Sequence, residues 1–208
     1  MNTLEFHAWN RVATFIAKPK RMIFDLDPSE QVAWPDIRKA ALLVCTLLEA
    51  IVLQAFVKTS GGKGLHVVVP LRKLQDWDTV KRLSQAVVQH LAKTIPQKFV
   101  AKRGPKKRVG KFFLDYLRND FSATTVSVWS ARSKPALSLS VPIAWHELQC
   151  LLSSKHWTAE NIAERIVVGN FVCQDYVKSA RTLKGVIKLP GYKNPNSPIE
   201  GHFARQLT

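Results

Sequence analysis

The chain has 208 residues, 46% of them hydrophobic, which is enough to bury the core of one domain near the upper end of the usual size range. Lysine and arginine total 31 against 15 aspartate and glutamate, and the resulting net charge of +16 suits a polyanion such as nucleic acid. Three scattered cysteines without a CxxC pair, and the lack of a signal peptide or membrane-length apolar run, argue against a disulfide framework, a zinc site and a membrane partner.

The first predicted element is a strand over residues 21–27. Met22, Phe24 and Leu26 alternate with Ile23, Asp25 and Asp27, as expected for side chains that point to the two faces of a strand. Pro28 then stops the strand, because proline cannot donate to a sheet ladder.

Helices and a hairpin follow this strand. Apolar residues at helical spacing predict one helix from Trp34 to about residue 51 and another over residues 78–95. Between them, residues 56–70 contain two strand-like runs around a glycine-rich turn, which predicts a hairpin.

The second half of the chain mixes strands, helices and a basic segment over residues 98–111. Strands are predicted over 111–117 and 124–129, and helices over 145–152, 158–167 and 175–188. We expect one domain over residues 1–190 and a flexible tail over 191–208, which is rich in Gly, Pro and Asn.

Asp25 and Asp27 are the sharpest local feature. On a strand, residues two apart face the same side with Cα atoms roughly 6.5–7 Å apart, close enough to share divalent cations. Phosphoryl transfer uses such an arrangement. The alternative is a strand end emerging into solvent, where the DxDP sequence only begins a turn.

The segment SGGKGLH, residues 60–66, combines glycines, a lysine and a serine, which are the ingredients of a phosphate cradle. We expect Lys63 to lie in the turn and His66 on the strand after it, so that both reach one ligand. The alternatives are an ordinary hairpin turn and a histidine satisfied in the core.

Asp115 lies within an apolar strand, so we expect its carboxylate to meet either a metal or an arginine. The stretch from Lys98 to Lys111 upstream has seven basic residues and no acid, which suits a loop that grips phosphates, with a solvated loop as the alternative. Arg132 is a further candidate for a triphosphate, because a guanidinium binds phosphate oxygens bidentately.

Together, these segments in this order resemble the polymerase domain of bacterial DNA ligase D, a member of the archaeo-eukaryotic primase group. The resemblance covers residues 4 to about 188. It is carried by LEFHAW, MIFDLDPSE, FVKTSGGKGLHVVVPL, RVGKFFLDYLRND, ATTVSVWSARSKPALSLSVPIAWHEL and DYVKSARTLKGVIK.

The resemblance implies an α/β (α+β) catalytic core with a central mixed or antiparallel sheet flanked by helices. It implies that Asp25, Asp27 and Asp115 are the catalytic ligands of two Mn²⁺ or Mg²⁺ ions. The nucleotide-binding residues would be His7, Ser60, Lys63, Gly64, His66, Arg108 and Arg132, and the basic loop would supply the nucleic-acid contacts Lys102, Arg103, Lys106 and Lys107.

The function implied is that of a primase-like nucleotidyltransferase acting in non-homologous end joining. It would transfer nucleotides from NTP or dNTP to a 3′-OH on primer-template DNA or broken ends. The expected partners are DNA, nucleoside triphosphates, a separate DNA ligase and an end-binding Ku-type protein, and the expected location is the bacterial cytosol, at the nucleoid.

The chain also departs from the family pattern. It begins close to LEFHAW, whereas family domains carry a preceding portion that helps to hold the template and the downstream 5′-phosphate, so we expect weaker end binding. These 208 residues contain no ligase or nuclease module, so we expect either a stand-alone relative or one piece of a split or truncated system. Arg118 stands where a polar uncharged residue is common. Two alternatives remain: a catalytically impaired nucleic-acid-binding relative, and a haloacid-dehalogenase-type phosphatase with Asp25 as nucleophile.

Overall fold

The computed structural model describes residues 4–102, 104, 109–169 and 171–183. Within these ranges the strands are β1 (His7–Trp9), β2 (Arg21–Pro28), β3 (Phe56–Thr59), β4 (Leu65–Pro70), β5 (Phe99–Val100), β6 (Phe112–Asp115), β7 (Thr124–Val126) and β8 (Pro142–Ile143). The helices are α1 (Trp34–Ala50), α2 (Trp77–Thr94) and α3 (Ile162–Val168).

In the described part of the chain, six strands form the main sheet in the order β5-β6-β2-β4-β3-β8. All neighbours are antiparallel except β5 and β6, which run parallel. Strands β1 and β7 pair separately as a small antiparallel sheet. The mixed α/β architecture predicted from the sequence is confirmed.

The two faces of the main sheet differ in chemistry. On β2, the side chains of Met22, Phe24 and Leu26 are fully buried in the core cluster shared with α1 and α2. Because side chains alternate along a strand, Asp25 and Asp27 must point to the opposite face. The face that presents the acids is therefore the one opposite α1 and α2.

Helices α1 and α2 cover the apolar face. Helix α1 begins with Pro35 in its first turn, where the missing N–H costs nothing, and buries a stripe that includes Ile37, Val44 and Leu48. Helix α2 is capped by Asp76, whose carboxylate accepts a hydrogen bond from the Thr79 N–H at 2.6 Å. None of the helices in the described ranges combines the length and the hydrophobicity of a membrane span.

The predicted helix over residues 145–152 is wrong. A short 3₁₀ turn, Glu147–Gln149, stands there. Its surroundings are fixed by side chains: the Trp145 indole donates to the Ala55 carbonyl at 2.9 Å, and the Glu147 carboxylate pairs with buried Arg165 at 2.6 Å. The helix was predicted from the spacing of apolar residues such as Leu148 and Leu151. Both are buried, but here a three-residue spacing arises from a turn and not from a helix.

The other predictions near the carboxyl end succeed only in part. Helix α3 is present but begins four residues later than predicted, at Ile162. The described part of the predicted helix over 175–188 contains turns instead. Residues 184–208, including the predicted tail, lie outside the described residues.

Candidate active site

A row of four polar side chains crosses the face of the main sheet opposite α1 and α2. The strand register sets Asp25 directly opposite Asp115 on β6 and opposite His66 on β4. His66 in turn faces Lys58 on β3. Four neighbouring strands thus align Asp115, Asp25, His66 and Lys58 across the sheet, although these residues are far apart in the sequence.

A cleft opens above this row. Its lining includes Asp25, Asp27, Asp115 and His66 from the strands, and the glycine loop over residues 60–64. The side chains of Asp25 and Asp115 are only 19% and 11% exposed, whereas that of Lys63 is 56% exposed. The carboxylates therefore lie deep in the cleft, beneath a more exposed cation of the loop.

Asp25 is held in its ionised form. Burial alone would raise the pKa of its carboxyl, but His66, Arg118 and Lys58 outweigh burial and lower the pKa to about 2. The His66 Nε2 lies 3.4 Å from Asp25 Oδ1, and the Arg118 Nε lies 3.5 Å from Asp25 Oδ2.

His66 and Lys58 have pKa values that are shifted towards their neutral forms. Burial and then the charge of Lys58 lower the pKa of His66, despite the opposing effect of Asp25. Burial, followed by the charge of Arg21, lowers the pKa of Lys58 to about 7. The Lys58 Nζ donates to the Val126 carbonyl at 3.0 Å and to the Ser140 hydroxyl at 2.6 Å, so it ties β7 to the main sheet.

The glycine loop is held in shape by Ser60. Its hydroxyl donates to the Gly64 carbonyl at 2.7 Å and accepts a hydrogen bond from the Gly62 N–H at 3.1 Å. Ser60 therefore fixes the conformation of the loop through hydrogen bonds to its backbone, and it also lines the cleft.

Gly64 lies where the loop approaches β2. A Cβ there would stand 1.6 Å from the carbonyl oxygen of Leu26, so a glycine is required for this close approach. The loop is thereby fixed beside the strand that bears the two acids.

Cationic side chains surround the mouth of the loop. A Cβ at Gly62 would lie 3.6 Å from Lys134 Nζ and 3.7 Å from an Arg132 guanidinium nitrogen, so the missing side chain leaves space between positive groups. Arg132 also donates to the Ser60 carbonyl at 2.7 Å. Lys63 extends from the loop and is exposed to solvent. This space suits an anion such as a phosphate.

His7 lies at the edge of the site rather than among the cleft residues. Its Nε2 is 2.7 Å from the Glu5 carboxylate, which also pairs with Arg132 at 2.9 Å. Burial opposes ionisation of Glu5, but the Ser133 N–H, His7 and Arg132 together lower the pKa of its carboxyl to about 2. Glu5 thus joins His7 to the cleft wall.

The structure brings together most residues that the sequence singled out. Cleft-lining residues that were predicted are Asp25, Asp27, Ser60, Lys63, Gly64, His66, Asp115 and Arg132. Lys102 is described and lies outside the residues that line this cleft. Arg103, Lys106, Lys107 and Arg108 lie outside the described residues.

Sequence reasoning missed Lys134 and Lys58, and it gave Arg118 no role. Lys134 lies two residues beyond Arg132 in the same segment, so proximity to a predicted phosphate ligand was an available signal. For Lys58, the available signal was a charged residue inside an otherwise apolar strand. The expected arginine partner of Asp115 is Arg118, whose Nε lies 3.4 Å from the Asp115 carboxylate.

The donor chemistry of the cleft fits a hard divalent cation, because Mg²⁺ and Mn²⁺ prefer carboxylate oxygens. Asp25, Asp27 and Asp115 supply such oxygens from two neighbouring strands. In the described ranges, however, no group of three or more Asp, Glu, His or Cys side chains is arranged as a ready metal site. Between Asp25 and Asp115 lies the guanidinium of Arg118.

Comparisons with known proteins agree on one family. A family model described as the LigD primase-polymerase domain matches residues 1–170. The multifunctional non-homologous end joining protein LigD of Pseudomonas aeruginosa is 39% identical over 190 residues, which is 90% of this chain and 23% of the relative. The bifunctional non-homologous end joining protein LigD of Bacillus subtilis is 26% identical over 150 residues, covering 72% of this chain and 24% of the relative.

A solved structure shares the fold. It is the polymerase domain of Mycobacterium tuberculosis ligase D in complex with DNA, with a TM-score of 0.71 and 29% identity over 78% of this chain and 56% of that chain. Fold and cleft therefore define an α/β domain of the primase-polymerase type. The chain belongs to the LigD primase-polymerase family.

Membership in this family bears on two interpretations drawn from the sequence. The resemblance inferred from the sequence motifs is confirmed, and it leaves no place for the haloacid-dehalogenase alternative. The chain spans less than a quarter of the length of the curated relatives described above.

Proposed function

We propose that this chain transfers nucleotides from NTP or dNTP to the 3′-OH of DNA, using two divalent ions held by Asp25, Asp27 and Asp115. The observation that carries this function is the register of β2 and β6. It places Asp25 opposite Asp115, with Asp27 two residues along the same face and the glycine loop beside them.

The side chains of the cleft would divide the work by charge. Arg132 and Lys134 would bind the triphosphate together with the loop, because their positive groups border the space above Gly62. Lys63, which also lines the cleft, would add a third positive charge from the loop itself. The acids would hold Mn²⁺ or Mg²⁺, which when bound supplies charge stabilisation for an in-line displacement. The 3′ oxygen would form a bond to the α-phosphorus as the bond to pyrophosphate breaks.

DNA is the proposed polymer, and its broken ends are the proposed place of action. The solved relative from M. tuberculosis is a complex with DNA, and the curated relatives are named as end-joining proteins. The net charge of +16 favours the same kind of partner. A separate ligase and a Ku-type end-binding protein are further proposed partners, with the bacterial cytosol as the proposed location.

The test is primer extension with Mn²⁺ and nucleoside triphosphates, alongside DNA affinity measured by fluorescence anisotropy. We expect Asp115→Asn to lower extension by more than about 100-fold, because loss of a direct ligand exceeds the effect of losing an outer-shell partner. DNA affinity should change little. The double variant Asp25→Ala, Asp27→Ala should also lose extension.

Asp120→Asn is the matched control. This aspartate lies five residues beyond Asp115 and pairs with Lys81 outside the residues that line the cleft. We expect it to extend primers normally. If the unaltered chain binds DNA but adds no nucleotide, the chain is instead a binding relative that has lost catalysis.

A further inference from the structure

Arg118 occupies the centre of the acid pair. Its Nε lies 3.5 Å from Asp25 Oδ2 and 3.4 Å from Asp115 Oδ2, so a single guanidinium faces both carboxylates. Within the described residues this Nε has no hydrogen-bond partner. Its placement therefore follows from charge, shared between two acids, rather than from a directional bond to either.

The strands explain why a cation is needed at this position. Asp25 and Asp115 are directly opposite each other in the β2–β6 ladder, and both are largely buried. Two adjacent carboxylates disfavour each other's ionisation unless a positive group lies nearby. Arginine keeps its charge at any pH relevant to proteins, so it can serve as a permanent counterion.

The backbone that carries Arg118 is fixed. The amide of Asn119 accepts from the Ile23 N–H and donates to the Ile23 carbonyl, both at 2.8 Å. Asn10 donates to the Arg118 carbonyl at 2.9 Å. The Asp115 carboxylate accepts from the Leu117 N–H, also at 2.9 Å. The turn is thus secured on three sides.

The side chain of Arg118 is less restrained than its backbone. It is 41% exposed at the mouth of the cleft, and its described ion pairs are those with Asp25 and Asp115. The guanidinium can therefore leave the acids by rotation of its own side chain, without disturbing the turn. Its departure would expose the same carboxylate oxygens that the proposed function assigns to divalent ions.

We propose that Arg118 is a resident counterion that competes with divalent metal for Asp25 and Asp115. In the metal-free protein the guanidinium offsets one of the two negative charges of the acid pair, and metal entry requires its displacement. The consequence is a metal site that stays weak until Arg118 moves. This role rests on the proposed function, because it assumes that these two acids bind metal.

The test is the affinity for Mn²⁺ alone, without nucleotide, from the electron paramagnetic resonance signal of free Mn²⁺. Arg118→Gln removes the competing charge but keeps a long side chain that can still form hydrogen bonds. We expect it to bind Mn²⁺ at least about tenfold more tightly than the unaltered chain, since a unit charge a few ångströms from an ion opposes it strongly. Arg118→Lys keeps the charge and should stay near the unaltered affinity.

Lys134→Gln is the control for charge in the cleft generally. Lys134 lines the same cleft but lies on the loop side, near Gly62. We expect its removal to change Mn²⁺ affinity less than about twofold, because Lys134 is exposed and solvent and salt weaken the effect of an exposed charge on an ion. A rise equal to that of Arg118→Gln would overturn the specific role of Arg118.

Thermal melting distinguishes tighter metal binding by Arg118→Gln from a general loss of stability in that variant. Arg118→Gln should melt lower than the unaltered chain without metal, and Mn²⁺ should raise its melting temperature by more than it raises that of the unaltered chain. Equal gains would contradict displacement by metal.

Asp115→Asn separates this inference from the proposed function. If Asp115→Asn lowers Mn²⁺ affinity while Arg118→Gln leaves it unchanged, Arg118 is no competitor but the acids still hold metal. If Asp115→Asn binds Mn²⁺ as well as the unaltered chain does, the metal site itself is misplaced and the proposed function fails with it.

Discussion

Asp25 shows how the chemistry of one residue is set by its neighbours. The carboxylate is mostly buried, which would raise its pKa, but His66, Arg118 and Lys58 lower the pKa to about 2 from an ordinary 3.8. The ionised form is therefore favoured in the folded protein more than in the unfolded chain. Asp25 should therefore remain charged at neutral pH.

This shift predicts a particular response to acid. Because the folded pKa is lower than the unfolded pKa, the stability due to Asp25 is present above about pH 4 and is lost as pH falls towards about 2. The difference in unfolding free energy between the unaltered chain and Asp25→Asn should shrink by on the order of 2 kcal/mol over this window. Urea unfolding at a series of pH values measures it.

The same experiment can fail in a clear way. A difference that is constant from about pH 6 to about pH 2 would mean that Asp25 titrates alike in both states. The neighbouring cations would then not stabilise its charge.

At the level of elements, alternation along the strands predicted the site well. The apolar positions of β2 were recognisable from their period, so the opposite face, with Asp25 and Asp27, followed directly. Asp115 and His66 were each noticed as polar residues in apolar runs. The pattern of one strand does not show which strands pair with it. The order β6-β2-β4-β3, which aligns these residues, depends on pairing between distant segments.

The strands that were not predicted and the wrongly predicted helix after Pro142 also have physical causes. Strands β5 and β8 have two residues each, too few to show a period. The region after Pro142 is held by buried polar contacts such as Arg165 with Glu147, and the hydrophobic spacing there imitates a helix. Patterns of apolar residues predict elements that pack by apolar faces, and they mislead where side-chain hydrogen bonds fix the chain.

The glycine loop allows folding and binding to be separated by two similar substitutions. Gly64→Ala would place a methyl group against the Leu26 carbonyl, 1.6 Å from its oxygen. We expect a loss of about 3 kcal/mol or more, because a backbone group cannot move aside cheaply. Chemical unfolding of the purified variant gives this value.

Gly62→Ala is the matched partner of that variant. Its nearest neighbours are the Ser60 hydroxyl at 3.2 Å and the flexible end of Lys134 at 3.6 Å. Stability should change by less than about 1 kcal/mol, while affinity for a nucleoside triphosphate falls by about tenfold as the methyl group enters the anion space. Equal destabilisation by both variants would show that the loop is purely structural.

At the level of the whole molecule, the chain carries a net charge of +16 although its cleft is lined by three carboxylates. The acids occupy one face of the sheet, and the basic residues are spread along the chain, with a dense group between Lys98 and Lys111. The proposed long-range attraction to DNA and the proposed chemistry at the cleft therefore depend on different residues.

Salt dependence measures the first of these contributions. Alanine in place of Lys102, Lys106 or Lys107 should reduce the slope of log affinity against log salt by roughly one unit for each phosphate that the side chain neutralised. Primer extension at saturating DNA should be little changed.

Lys39→Ala is the control for that series. Lys39 is exposed on α1, which packs on the face of the sheet opposite the acids. Its removal should leave the slope unchanged. An equal fall for Lys39→Ala would mean that net charge, rather than the basic segment, determines binding.

The division of β2 into two faces also limits how this strand can evolve. Since core and chemistry alternate residue by residue, inserting or deleting one amino acid between Met22 and Asp27 would exchange the two sets. Carboxylates would be driven into the hydrocarbon interior while phenylalanine and leucine replaced them in the cleft. Point substitutions can modify this site gradually, but a change in strand length would destroy packing and chemistry together.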